Sequence, residues 1–114
     1  MESDTAIESL AALAQATRLD VFRLLVRHEP DGLSAGEIAR RLGVPHNTLS
    51  THFSVLARAG LIRSERQSRS IIYRADLGAI GRLAAYLVED CCGGRPGACA
   101  PFLADLTRLE ASEN

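Results

Sequence analysis

Residues 34–60 leave this chain little freedom. Ser34 is placed to cap a helix over Ala35–Leu42, and Glu37 stands three residues on, where a capping box returns the bond. Gly43 can take the left-handed conformation that ends a helix. Pro45 sits where the first turn of a new helix needs no amide donor. Leu49, Phe53 and Leu56 then recur on one face until Gly60 stops the helix after about residue 59. Only Gly43 and Val44 separate the two helices. So short a joint holds them at a fixed angle, as a helix-turn-helix.

After Gly60 the period changes. Leu61-Ile62-Arg63-Ser64-Glu65 and Ser70-Ile71-Ile72-Tyr73-Arg74 are rich in strand formers and flank the polar turn Arg66-Gln67-Ser68-Arg69, which predicts a β-hairpin. Upstream, residues 5–14 place Ile7, Leu10, Ala11, Leu13 and Ala14 at helical spacing. Thr17 is expected to cap a second helix, with Asp20 at the capping-box position and Leu19, Val21, Phe22, Leu24 and Leu25 inward; Glu29-Pro30-Asp31-Gly32 ends it. Downstream, Asp76 caps a helix to about Asp90 with an apolar stripe of Leu77, Ile80, Leu83, Ala84, Leu87 and Val88. Residues 91–97 read as a loop. Residues 100–109 read as a last short helix with Phe102, Leu103, Leu106 and Leu109 on one face. The expected fold is mainly α with a β-hairpin wing, a winged helix-turn-helix in the order α-α-α-α-β-β-α-α. The 114 residues suffice for one domain over 1–114, with its reading part at 34–74.

Charge is sorted along the chain. Residues 38–75 carry seven arginines against Glu65 alone, whereas residues 1–37 and 76–114 are each net acidic. A basic middle between acidic flanks suits a surface that meets phosphates. The helix after the turn would enter a major groove, and its early polar residues His46, Asn47, Thr48, Ser50, Thr51 and His52 are the candidates for DNA contact. Arg66 and Arg69 suit a wing that touches phosphate or an adjacent minor groove. His46 and His52 are six apart and do not share a helix face for a metal. His28, near a helix end, has at most the last carbonyls to meet. The acidic start Met1-Glu2-Ser3-Asp4 is unlike a secretory leader, and no apolar run approaches a bilayer span, so a cytoplasmic protein with no membrane partner is expected.

The run from Gly36 through Gly43-Val44-Pro45-His46-Asn47-Thr48-Leu49-Ser50-Thr51-His52-Phe53 to Gly60-Leu61-Ile62 resembles the signature of ArsR/SmtB-type bacterial repressors. So do Ala14-Gln15-Ala16-Thr17-Arg18-Leu19-Asp20 upstream and Arg69-Ser70-Ile71-Ile72-Tyr73 downstream. The resemblance covers roughly residues 5–90. It implies a homodimer through helices 5–14 and 76–90, two reading helices on an imperfect inverted repeat of double-stranded operator DNA, and release of that DNA on binding a metal or metalloid.

The family keeps inducer sites in several places. The first helix of the helix-turn-helix has no thiol here, and residues 76–90 have no histidine. The remaining candidates are Cys91, Cys92 and Cys99, in a glycine-rich loop spanning 91–99, which resemble the vicinal pair plus third cysteine of an arsenic-responsive group. Thiolates are soft ligands, and As(III) or Sb(III) favours three sulfurs in a pyramid. Structural zinc would want a fourth ligand. Cadmium or lead, and thiol oxidation or persulfidation of the same cysteines, are alternative inputs. An enzyme using the cysteines is the rival class. It would need an activating base or a phosphate-cradling loop near Cys91, and the sequence offers neither, so no catalytic residue or catalytic cofactor is expected.

Overall fold

The computed structural model describes residues 1–89 and Asp105. The expected inducer loop at 91–99 lies outside the described residues, as does the expected last helix at 100–109 apart from Asp105, which is helical. Within them the order is α1 Ser3–Leu13, α2 Ala16–Arg27, β1 Leu33–Ser34, α3 Ala35–Leu42, α4 His46–Arg58, β2 Ile62–Gln67, β3 Ser70–Ala75 and α5 Leu77–Val88. This is a helical body carrying a β-hairpin wing. No helix among the described residues is long and apolar enough to cross a membrane.

The helix-turn-helix forms as its local chemistry dictates. Ser34 is extended and its hydroxyl accepts the Glu37 amide at 3.1 Å. Gly43 adopts φ 65°, ψ 33°, and its amide closes the helix on the Ala39 carbonyl. The hydrophobic core lies beneath, where Val21 and Leu25 of α2, Ile38 of α3, Leu49 and Leu56 of α4 and Leu61 are fully buried. Ile62 and Ala75 extend it into the base of the hairpin. Asp76 caps α5 as expected, accepting the Ala79 amide at 3.0 Å.

Several expectations need correction. The polar turn of the hairpin is shorter than residues 66–69. Strand pairing continues to Gln67↔Ser70, leaving Ser68 and Arg69 as the turn, with Ser68 at φ 55°. Arg66 therefore sits in β2, opposite Ile71. The cap of α2 is Gln15, whose side-chain oxygen accepts the Arg18 amide at 2.8 Å, not Thr17, which already lies inside the helix. Leu19 is 42 % exposed, because Val21, Phe22, Leu24 and Leu25 already fill the inward arc of α2. In α1 the small residues Ala6, Ser9 and Ala12 face inward, while Ile7 and Leu10 are 60 % and 42 % exposed. Small side chains let the α1 backbone approach the core closely, and the larger ones are turned away.

The sheet also has a third strand. Leu33 pairs with Tyr73 and Ser34 with Ile72, giving the antiparallel order β1-β3-β2. Gly32 makes this possible. It holds φ 74°, and a Cβ there would lie 2.5 Å from the Tyr73 carbonyl oxygen. Only a residue without a side chain fits so close to a neighbouring strand.

Candidate nucleic-acid interface

Helix α4 turns Leu49, Phe53 and Leu56 into the core. The 3.6-residue period then sends His46, Asn47, Thr48, Ser50 and Thr51 outward, and all five are exposed. Two of them are preoriented by local bonds. The Asn47 side-chain oxygen accepts the Thr48 amide at 3.0 Å, and the Ser50 hydroxyl donates to the His46 carbonyl at 3.3 Å. Ser54 and Arg58 share this exposed face with Asn47 and Thr51. They are not among the contacts expected from the sequence, although they follow Asn47 by seven and eleven residues on the same helical face.

His52 stands apart. It is half-buried, with Nδ1 3.4 Å from the Arg18 guanidinium. Arg18 itself donates from Nε to the Ala12 carbonyl at 2.6 Å and from its second terminal nitrogen to Ala11 at 3.4 Å. One side chain thus ties the end of α1 to the start of α2 and to α4. His52 is placed at this junction rather than with the five exposed residues.

The wing is fixed relative to α4 by a ring stack. Phe53 and Tyr73 lie 4.3 Å apart between centroids at an interplanar angle of 28°. Arg66 lies on the same face of the hairpin as Tyr73, two ladder positions nearer the tip, and Arg69 occupies the turn itself. Both arginines are exposed, and neither has a hydrogen-bond or ion-pair partner among the described residues. A cleft of about 360 Å³ runs between the wing turn and the starts of α3 and α4. Ser34, Ala35, Gly36, His46, Arg69, Ser70 and Ile71 line it.

The acidic groups nearby are neutralised. Glu65, the one acid of the basic middle, is 3.1 Å from Arg74, whose guanidinium also grips Glu29 in a two-pronged pair at 2.8 and 3.2 Å. The hydrogen bonds from Arg74 hold the Glu29 carboxyl below its ordinary range against the opposing pull of burial. Glu37 is paired with Arg40 and Arg41, and hydrogen bonds from both lower its pKa to about 2. Arg41 also lies 3.0 Å from His28 Nε2, so the imidazole meets a guanidinium while the His28 backbone amide donates to the Leu25 and Val26 carbonyls at the end of α2. No group of three or more His, Cys, Asp or Glu able to hold a metal occurs among the described residues. Cys91, Cys92 and Cys99 lie outside them.

The arrangement presents hydrogen-bonding side chains along one helix face and cations at the wing, while Glu29, Glu37 and Glu65 are each held by an arginine. Comparison with known proteins agrees. A family model described as a helix-turn-helix domain matches residues 13–65. The HTH-type transcriptional regulator YbzH of Bacillus subtilis is 33 % identical, over 71 % of this chain and 93 % of its own length. An ArsR-like transcriptional regulator from Rhodococcus sp. RHA1 superposes with TM-score 0.68 at 28 % identity, covering 93 % of this chain and 92 % of that one. A solved structure described as a possible transcriptional regulator for arsenical resistance gives TM-score 0.62 at 26 % identity, covering 72 % of this chain and 82 % of its own.

Proposed function

This chain belongs to the ArsR-type winged helix-turn-helix transcriptional regulators, which are DNA-binding proteins and not enzymes, and from that premise we propose that it is a homodimeric repressor released from its operator by As(III) or Sb(III). The observation that carries the DNA half is the exposed polar face of α4 beside two unpaired wing arginines. Asn47, Thr48, Ser50 and Thr51 would meet base edges, with His46 at the groove's edge. Arg66 and Arg69 would meet phosphates or the minor groove. His52 would act at one remove, holding α4 against Arg18.

Dimerisation through α1 and α5 is supported by Ile7, Leu10, Leu77 and Leu87, which are 60, 42, 48 and 53 % exposed. A second copy would cover them and set two reading helices on the halves of an imperfect inverted repeat. The sensing half rests on donor chemistry. Three cysteines fall within residues 91–99, which follow α5 directly. Three thiolates suit a soft trivalent metalloid, and the likeness to a possible regulator for arsenical resistance supports the same input. Ligand held by Cys91, Cys92 and Cys99 would pull on the end of α5, and its preference for one dimer arrangement over the other would weaken operator binding.

The test is fluorescence anisotropy of the reduced protein on its own promoter with and without arsenite. Stoichiometric arsenite releases the DNA, zinc does not, and Cys92→Ser binds DNA normally yet fails to release. Release by an oxidant or persulfide alone, or by cadmium or lead, would transfer the input to those agents. Full arsenite response in Cys92→Ser would remove the cysteine site.

A further inference from the structure

A second cleft borders the exposed face of α4 at Arg58. It opens between α1 and the C-terminal half of α4 and has a volume of about 270 Å³. Its floor is apolar and shallow-sided: Ala11 and Ala12 from α1, Val55 from α4 and Ala59 at the α4 C-cap. Arg18 closes one end, its guanidinium engaged by the Ala11 and Ala12 carbonyls and near His52.

Two further charges stand on the rim, Glu8 on α1 and Arg58 on α4. They are opposite in sign, yet they form no ion pair with each other, and neither has a hydrogen-bond or ion-pair partner among the described residues. Both are exposed. A cation and an anion that share a cleft without meeting are complementary to a molecule bearing both charges. A simple anion would satisfy Arg58 and leave Glu8 opposed to it. A simple cation would do the reverse. The volume falls just below the roughly 300–1,000 Å³ of sites for drug-sized ligands, which restricts the occupant to a few heavy atoms.

We propose that this cleft binds a small α-amino acid, with its carboxylate toward Arg58 and the Arg18 end, its ammonium toward Glu8, and a short apolar side chain on Ala11, Ala12, Val55 and Ala59. Carboxylate and ammonium in one small molecule match the two rim charges, and charge-assisted hydrogen bonds are the stronger kind. The ligand would touch α1 and the reading helix at once, giving the protein a second input independent of the cysteines.

The experiment is a titration of the full-length protein with the common α-amino acids one at a time, with acetate and methylammonium as single-charge controls. Backbone amide shifts of Ala11, Ala12, Val55 and Ala59 are followed by NMR. A small apolar amino acid such as alanine or valine gives a saturable shift at these positions, and neither control does. Glu8→Gln and Arg58→Gln each weaken binding at least about tenfold, as loss of a hydrogen bond to a charged group does. Ala59→Leu fills the cleft and abolishes binding. The proposal is overturned if no amino acid gives a saturable shift, if acetate alone reproduces it, or if binding survives both Glu8→Gln and Ala59→Leu.

Discussion

The reading head and the helices that flank it solve opposite problems. Residues 33–75 close on a core that they share chiefly with α2. Ile38, Leu49, Leu56 and Leu61 are fully buried, the wing is stacked on α4 through Phe53 and Tyr73, and Arg74 knots the hairpin to the loop after α2. Helices α1 and α5 turn only small or few side chains inward, Ala6, Ser9 and Ala12 in one and Ala79 and Leu83 in the other. Ile7, Leu10, Leu77 and Leu87 are left outward. One chain therefore completes the proposed DNA-reading part and leaves outward the apolar side chains through which two such readers would be positioned. The first is a matter of folding, the second of assembly.

Breaking the core of the head should have the largest effect. Leu56→Ala is expected to cost about 2–5 kcal/mol of stability, read as a shift in the denaturation midpoint, with DNA binding lost alongside. The flanks should behave differently. Leu10→Glu combined with Leu87→Glu should halve the mass in sedimentation while the far-ultraviolet circular dichroism stays helical. Operator affinity should fall about 100-fold or more, because two linked contacts become one. A dimer that survives this pair would erase the distinction between the two regions. A smaller effect is expected within the head. Arg66→Ala should weaken all DNA sequences alike and reduce the salt slope by about one; a loss confined to one base of the operator would contradict a phosphate role.

The smallest expected effect is a dependence on acid. The Glu29 carboxyl is held below its ordinary value of 4.5, chiefly by hydrogen bonds from Arg74. Its contribution to stability is complete above pH 4.5 and is lost as pH falls through the depressed value. Glu37, lowered to about 2, loses its contribution between pH 4.5 and about 2. Arg74→Met should flatten the first of these slopes and leave the second. An unchanged acid limb in Arg74→Met would mean the knot contributes nothing there.

Much of the head was legible in the sequence because its signals are local. Ser34, Gly43, Gly60 and Asp76 act within a turn of themselves, and the 3.6-residue period around Leu49 fixes which face of α4 is free. What escaped depends on partners distant in the chain. Strand β1 is two residues long and exists through pairing with β3, some forty positions on. The inward face of α1 is decided by how closely its backbone can approach, so Ala6, Ser9 and Ala12 prevailed over Ile7 and Leu10. His52 is drawn aside by Arg18, a contact no periodicity foretells. Ser54 and Arg58 lie on the same face by the same period, but further along α4 than the first turns, which a groove-entering helix presents to bases.

The pairing of Glu65 with Arg74 also bears on how the protein would find its target. The chain as a whole has a formal charge of only −1, so net charge gives no attraction to a polyanion. With Glu65 held against Arg74, the one acid of the basic middle is answered within the hairpin, and Arg66 and Arg69 at its tip are left to act on a polyanion. The attraction to DNA would therefore be local to the wing rather than a property of the whole molecule. A local attraction of this kind would favour collisions in which the wing meets the phosphates first, and a net charge of −1 would keep non-specific attachment weak.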